Sequence, residues 1–420
     1  MLVIPDGAAD TYRERGRSPL AIAQTSTIDR LAREGVSGLL QTLYEELPKE
    51  SLVAQLGMLG WDPRIFYPCG RASCELLALE GIELRDDDLA FRANLVQMEG
   101  RTLVSYNAKY IHSDHAIALI DQLNRALRQE FPDFELYHNS DFRNTLVVRD
   151  AGIDPRLLRC PEPHENQGVE FDIARLISGS DPASARVAAR VNRYLERVAH
   201  LLARETANML FPWSASKAFK VPSFSQHTGF SGCVGVVGCM DFLQGIAKAG
   251  KMDFFKVGNG RPNTDYPAKG DAVIDLLSAG YEFVVCHINA PDEAAHMRDL
   301  QLKIRSIELI DEHVVRPVVQ YFEHNPGELG GVMVAPDHYT NYFGDPSPLE
   351  RRDVHSLHPV PFALWNGRDC DGVRSFSEDD AVEGKYGRQI LNHMELMAVL
   401  GVQALPAGIE ARAEQFAADG

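Results

Sequence analysis

The sequence predicts an α/β fold: a covered, mostly parallel sheet between helices, interrupted by an inserted domain. Three observations predict it. Short apolar runs recur, each ending in a polar cluster; helical periodicity follows several of them; and the middle of the chain departs from that rhythm.

Taken in order, Leu2–Pro5 is an apolar run leading straight into Asp6-Gly7, the pattern of a buried strand that ends at a turn. It is a strand and not a signal peptide, and its shortness is compatible with a start a few residues upstream. Helical periodicity follows at 27–34. From about residue 76 to 214 the pattern is more charged, and a long helix-like stretch, 183–210, closes it. The strand rhythm then returns. Residues 233–238 lead to Cys239-Met240-Asp241, Phe283–Ile288 lead to Asn289-Ala290-Pro291-Asp292, and 331–335 lead to Pro336-Asp337-His338. Helical periodicity covers 241–249, 271–278 and 297–321. The expected division is a first core segment at 1–75, an inserted domain at 76–214, a second core segment at 215–405, and a tail at 406–420.

Composition narrows the function. A chain of 420 residues with 45% hydrophobic side chains can bury a sizeable core without a disulfide scaffold. The net charge of −17 argues against nucleic acid or anionic membrane as the main partner, because both demand a basic surface. A small phosphate ester remains compatible, since it needs only local positive charge. The seven cysteines are odd in number and scattered, which points to reduced, mostly buried thiols in a cytoplasm. No apolar run approaches the ~18 residues of a membrane span.

Acidic residues just past strand ends carry the functional argument. In open α/β sheets ligands gather outside the carboxyl ends of strands, so three strands that each deliver an Asp there can converge on one site. A single such carboxylate is ordinarily a solvated loop residue, and a single histidine is ordinarily a core or surface residue. Here they come together: Asp6, Asp292, His296, Asp337, His338 and His355, with His358 competing with His355. Asp292 and His296 stand four residues apart where a strand passes into a helix, so both side chains can face one ion. Asp337 and His338 are adjacent and diverge unless the backbone turns sharply. Carboxylate and imidazole donors suit Zn²⁺, Mn²⁺ and related cations.

At these residues the chain resembles the archaeal-type cofactor-independent (2,3-bisphosphoglycerate-independent) phosphoglycerate mutases of the alkaline phosphatase superfamily. Asp6-Gly7-Ala8-Ala9-Asp10 resembles the family's opening Asp-Gly-x-x-Asp. Ser18-Pro19-Leu20, Leu59-Gly60-Trp61-Asp62-Pro63, Gly70-Arg71 with Glu75, and Phe91-Arg92-Ala93-Asn94-Leu95-Val96 resemble further blocks. The most specific is Pro291-Asp292-Glu293-Ala294-Ala295-His296. The likeness runs from residue 1 to about 402.

The resemblance implies an alkaline-phosphatase-like three-layer α/β/α core with an inserted α+β cap domain that closes over substrate and excludes water. It implies a cytoplasmic glycolytic isomerase interconverting 3-phosphoglycerate and 2-phosphoglycerate. Two divalent ions (Mn, Zn, Mg or Co) would be held by Asp292, His296 and His355 and by Asp6, Asp337 and His338. Ser51, counted back from Gly60-Trp61-Asp62-Pro63, falls at the nucleophile position and would carry the phosphoryl group. Arg92, Arg143 and His164 are the candidate substrate groups in the insertion. Asp10 is expected to be a turn or capping carboxylate.

The substrate side departs from the family pattern. Glu50-Ser51-Leu52 stands where Gly-Ser-Asp is usual, Ser105-Tyr106-Asn107-Ala108-Lys109-Tyr110-Ile111 replaces a segment with a Gly-Arg pair, and Pro212-Trp213-Ser214-Ala215-Ser216 has lost two glycines. Lost glycines remove backbone freedom, and a lysine does not reproduce the bidentate grip of an arginine. These changes keep open a specialised phosphoryl- or phosphonyl-transferase of phosphonate or secondary metabolism. A metal-dependent phosphatase and a non-catalytic binding protein are the remaining alternatives.

Overall fold

Leu2–Pro5 is wholly buried and lies in the middle of an eight-stranded sheet, pairing in parallel with Phe283–Ile288 on one side and Val332–Val334 on the other. Outward from Phe283–Ile288 come Val234–Gly238 and Asp253–Lys256, both parallel. On the other side Val360–Trp365 runs antiparallel between Val332–Val334 and Val36–Leu40, and Tyr386–Leu391 closes the edge. The central strands are apolar at successive positions because helices pack against them; Ser26–Arg33, Asp241–Ala249 and Tyr266–Ser278 all contact the sheet. The computed structural model describes residues 1–342 and 354–403, so the tail expected at 406–420 lies outside the described residues.

The α/β expectation holds for this unit, which comprises Met1–Phe66 and the chain from Val221 onward. The periodic stretch expected at 297–321 is two α-helices, Leu300–Ile310 and Arg316–His324, joined by a π-helical turn at Asp311–Val315. Asp311 in that turn is buried, and its carboxylate accepts from the Ile28 N–H at 2.7 Å, tying it to the start of helix Ser26–Arg33.

The second unit is Tyr67–Lys220. Its antiparallel sheet runs Thr102–Ser105, Leu89–Glu99, Arg143–Val148, Phe134–Ser140, with Met209–Ser216 also pairing to Leu89–Glu99. Leu89, Phe91, Leu95, Leu146 and Phe211 share its apolar core with Leu119 and Leu123 of helix Ser113–Leu127 and Val191 and Leu195 of helix Pro182–Leu201. The helix-like stretch expected at 183–210 is corrected at both ends. Asp181 caps the helix reciprocally with Ser184, so it begins at Pro182; it stops at Leu201, and residues from Met209 are strand. Apolar spacing alone did not separate the helix from the buried strand that follows it.

Candidate metal and nucleophile site

Parallel pairing brings three carboxyl ends together. Asp6 follows Leu2–Pro5, and its N–H donates to the Ile288 carbonyl at 3.0 Å. Asp292 lies in helix Ala290–His296, which starts just beyond Phe283–Ile288, and Asp337 and His338 follow Val332–Val334. These are neighbouring strands, so the convergence expected from sequence is met.

Two groups result. Asp6, Asp337 and His338 are all buried and bring ligand atoms within 4.8 Å of one another. His338 Nε2 is 3.2 Å from Asp6 Oδ1 and 3.7 Å from Asp337 Oδ2, so the backbone does turn sharply enough for adjacent residues to share a site. Asp292, His296 and His355 form the other group. His355 Nε2 stands 3.5 Å from Asp292 Oδ1 and 3.3 Å from His296 Nε2. His358 is exposed and bonds the Ser356 hydroxyl instead, so it joins neither group.

Ser51 is the first residue of helix Ser51–Met58, and its Oγ lies 3.2 Å from His338 Nε2. A helix start favours developing negative charge on a side chain held there. One turn further along, Gln55 is fully buried and donates from Nε2 to Asp337 Oδ2 at 2.8 Å, while the Gly7 N–H donates to Asp337 Oδ1 at 3.0 Å. Both carboxylate oxygens of Asp337 are thereby fixed in direction.

Charge in this site is frustrated. Burial and the Asp6 charge push the Asp337 carboxyl up to about 7, against the pull of His338 and His287. Burial opposes charging of His338, but the carboxylates of Asp337 and Asp6 outweigh it and raise the imidazole to about 10. Burial and Asp292 work to raise Asp6, yet the His287 and His338 imidazoles beside it prevail and hold it well below the carboxylate range. Burial likewise opposes ionisation of Asp292, and His296 with His355 overcome it. Asp292 in turn raises His296, whereas burial and His338 lower His355. Three buried carboxylates thus call for positive charge that protons supply only partly.

The donor set fits divalent cations. Asp6 Oδ1 is buried without a well-directed hydrogen bond although His338 Nε2 faces it at 3.2 Å. A carboxylate oxygen and an imidazole nitrogen this close are the donor types that can share one such ion. His355 Nδ1 lies 2.8 Å from the Lys49 carbonyl, which only accepts; Nδ1 therefore carries the proton and Nε2 faces its group.

Two other buried side chains escaped the sequence reading. His287 is fully buried with Nε2 3.1 Å from Asp6 Oδ2. Its signal was a histidine inside an apolar strand. Lys303 is fully buried, and its ammonium reaches Asp10 Oδ2 at 2.8 Å, the Thr340 carbonyl at 2.7 Å and the Ala9 carbonyl at 3.2 Å. Asp10 does act as a turn carboxylate, accepting from the Tyr12 N–H at 2.8 Å, and it also anchors this lysine.

The three candidates in the other unit are linked by rings. Arg92 stacks over Trp213 at 4.3 Å and pairs with Glu75 at 2.9 Å. Trp213 meets His164 at 5.3 Å, His164 meets Tyr106 at 6.4 Å, Tyr106 meets Phe142 at 5.9 Å, and Arg143 lies over Phe142 at 4.4 Å. The row therefore runs from one guanidinium to the other with His164 between. Its flanking segments hold left-handed backbone in residues other than glycine: Ala108, Lys109 and Tyr110 at φ 48°, 57° and 59°, and Ser214 at φ 50°.

A mostly parallel α/β unit with carboxylate–histidine groups at its strand ends, and a serine beside one of them, defines an α/β protein with a candidate metal centre. The model of the family described as 2,3-bisphosphoglycerate-independent phosphoglycerate mutase matches residues 32–208. The mutase of that name from Methanosarcina acetivorans is 32% identical over 92% of this chain and 96% of its own, and the one from Methanothrix thermoacetophila is 33% identical over the same shares. The chain belongs to the 2,3-bisphosphoglycerate-independent phosphoglycerate mutase family. Solved structures share the fold. A Pyrococcus horikoshii protein superposes at TM-score 0.73 with 22% identity, covering 97% of this chain and 98% of its own. The cofactor-independent phosphoglycerate mutase of Thermoplasma acidophilum superposes at 0.57 with 24% identity, covering 95% and 98%. Among the described residues no helix is long and apolar enough to cross a membrane.

Proposed function

We propose that the chain interconverts 3-phosphoglycerate and 2-phosphoglycerate through a phosphoserine at Ser51, with two divalent ions. Asp292, His296 and His355 would hold one ion, and Asp6, Asp337 and His338 the other. The observation that carries the reading is Ser51 Oγ at 3.2 Å from His338 Nε2, at a helix start and beside the buried acidic group. Bound ions would supply Lewis acidity that favours a serine alkoxide and neutralises phosphoryl charge. Ser51 gives up its hydroxyl proton and forms the new P–O bond as the bond to the departing substrate oxygen breaks, and that oxygen takes up a proton in turn. The reverse transfer to the neighbouring hydroxyl releases the isomer and restores the serine. Arg92, His164 and Arg143 are assigned to the substrate's anionic groups; two guanidiniums spaced along one aromatic row suit a small phosphorylated carboxylate.

³¹P NMR of the Mn²⁺-supplemented protein with 3-phosphoglycerate tests this. A 2-phosphoglycerate resonance without inorganic phosphate is the expected result, and inorganic phosphate alone would assign a hydrolase. The strained backbone at 108–110 and 214 supports one second reading, a relative specialised for another phosphoryl donor. Metal-loaded protein inert towards 3-phosphoglycerate would favour it.

A further inference from the structure

Thr340 touches both candidate metal groups with one hydroxyl. Its Oγ1 lies 2.5 Å from Asp292 Oδ1 and 3.1 Å from His338 Nδ1, and the residue is fully buried. The hydrogen-bond directions among these three groups follow from the hydroxyl's single proton. The single Thr340 proton goes to Asp292 Oδ1. Thr340 Oγ1 must then accept from His338, which places a proton on Nδ1 and leaves Nε2 as the nitrogen facing Asp6 and Ser51. One hydroxyl thus sets the direction of a carboxylate in one group and of an imidazole in the other.

The backbone of Thr340 is held as firmly as its side chain. Its carbonyl accepts from Lys303 at 2.7 Å, its N–H donates to the Ala9 carbonyl at 3.2 Å, and its strand Tyr339–Thr340 pairs with His355–Ser356 so that Thr340 stands opposite His355. Gly7 leaves room for the hydroxyl: a Cβ there would sit 2.3 Å from Thr340 Oγ1 and 2.8 Å from Asp292 Cβ. No substituent fits between them.

We infer that Thr340 is a positioning residue that bridges the two metal groups, so that the affinities of both ions depend on its hydroxyl. The inference rests on the two-ion reading above. Asp292 and His338 each use Thr340 as the partner that fixes orientation, and loss of such a partner typically costs 10–100-fold in metal affinity. Dependence on one shared hydroxyl makes the two losses simultaneous.

The test is equilibrium dialysis of the full-length protein against graded free Mn²⁺, with bound metal counted per chain. The wild type is expected to bind two equivalents. Thr340→Val, which keeps the shape and removes the hydroxyl, should weaken both by about tenfold or more. Thr340→Ser, which restores the hydroxyl, should bind both equivalents much as the wild type does, well inside the about tenfold loss expected of Thr340→Val. Weakening of one equivalent alone, or of neither, overturns the bridge while leaving the two-ion reading intact. A wild type that binds no metal overturns both. If Thr340→Val does not fold, long-range ¹H–¹⁵N spectra of the Zn²⁺-loaded wild type decide the matter: His338 protonated at Nδ1 supports the bridge, and His338 unprotonated there overturns it.

Discussion

Ser51 Oγ and His338 Nε2 stand 3.2 Å apart although 287 positions separate them in the chain. One residue begins a helix and the other leaves a central strand, so the contact exists only once the sheet has formed. It gives the first prediction. Ser51→Ala should lower mutase turnover by on the order of 10⁴-fold or more, as removal of a nucleophile does. Metal content and melting temperature should stay close to wild type. Near-normal turnover in that variant would remove Ser51 from the chemistry.

The groups that hold Asp292 and Asp337 are distinct, so their losses should be separable. Asp292→Ala or His296→Ala should reduce bound Mn²⁺ from two equivalents towards one, measured by elemental analysis after dialysis. Two equivalents retained in either variant would show that these residues are not ligands.

Lys303 and Asp10 form a fully buried ion pair that also ties the loop after Leu2–Pro5 to the Thr340 carbonyl. Lys303→Met leaves Asp10 buried without its cation and should cost about 3–5 kcal/mol of stability. Adding Asp10→Asn removes the stranded charge and should recover part of the loss. Urea unfolding of the single and double variants checks both statements, and equal stability of Lys303→Met and wild type would refute the anchoring role.

Asp88 makes a pH prediction in the other unit. Burial opposes its charge, but the Arg85 and Asp150 N–H groups and the Arg149 and Arg85 guanidiniums outweigh burial and lower its carboxyl to about 2. An unfolded-chain Asp titrates near ~3.9, so the folded value is the depressed one. Its stabilisation is therefore complete above pH ~4 and disappears as pH falls towards 2, and it amounts to about 2 kcal/mol. Asp88→Asn should be less stable than wild type at neutral pH, with the gap narrowing across that acid window. Thermal melts of both proteins between pH 7 and 2 measure it; a gap independent of pH would contradict the assignment.

Much of this was legible in the residues themselves. The run Leu2–Pro5 into Asp6 and the run Phe283–Ile288 towards Asp292 each announced a strand end bearing a carboxylate, because a covered strand must be apolar and its end must return to polar surroundings. The i,i+4 spacing of Asp292 and His296 fixed a shared helical face. The helix boundary at Leu201 was not legible, because a buried strand and an amphipathic helix both present apolar residues and only pairing with Leu89–Glu99 separates them.

The sequence by itself determined the strand–helix alternation, the family resemblance and which acidic and histidine side chains stand at strand ends, because local pattern and residue type are properties of the chain alone. Only the tertiary structure decided that His358 joins neither group, that Gln55 orients Asp337, that His287 lies beside Asp6, and that Thr340 touches both groups. Those choices depend on strand order and register, which bring residues hundreds of positions apart within hydrogen-bonding distance, and no periodicity along the chain encodes which of them will meet.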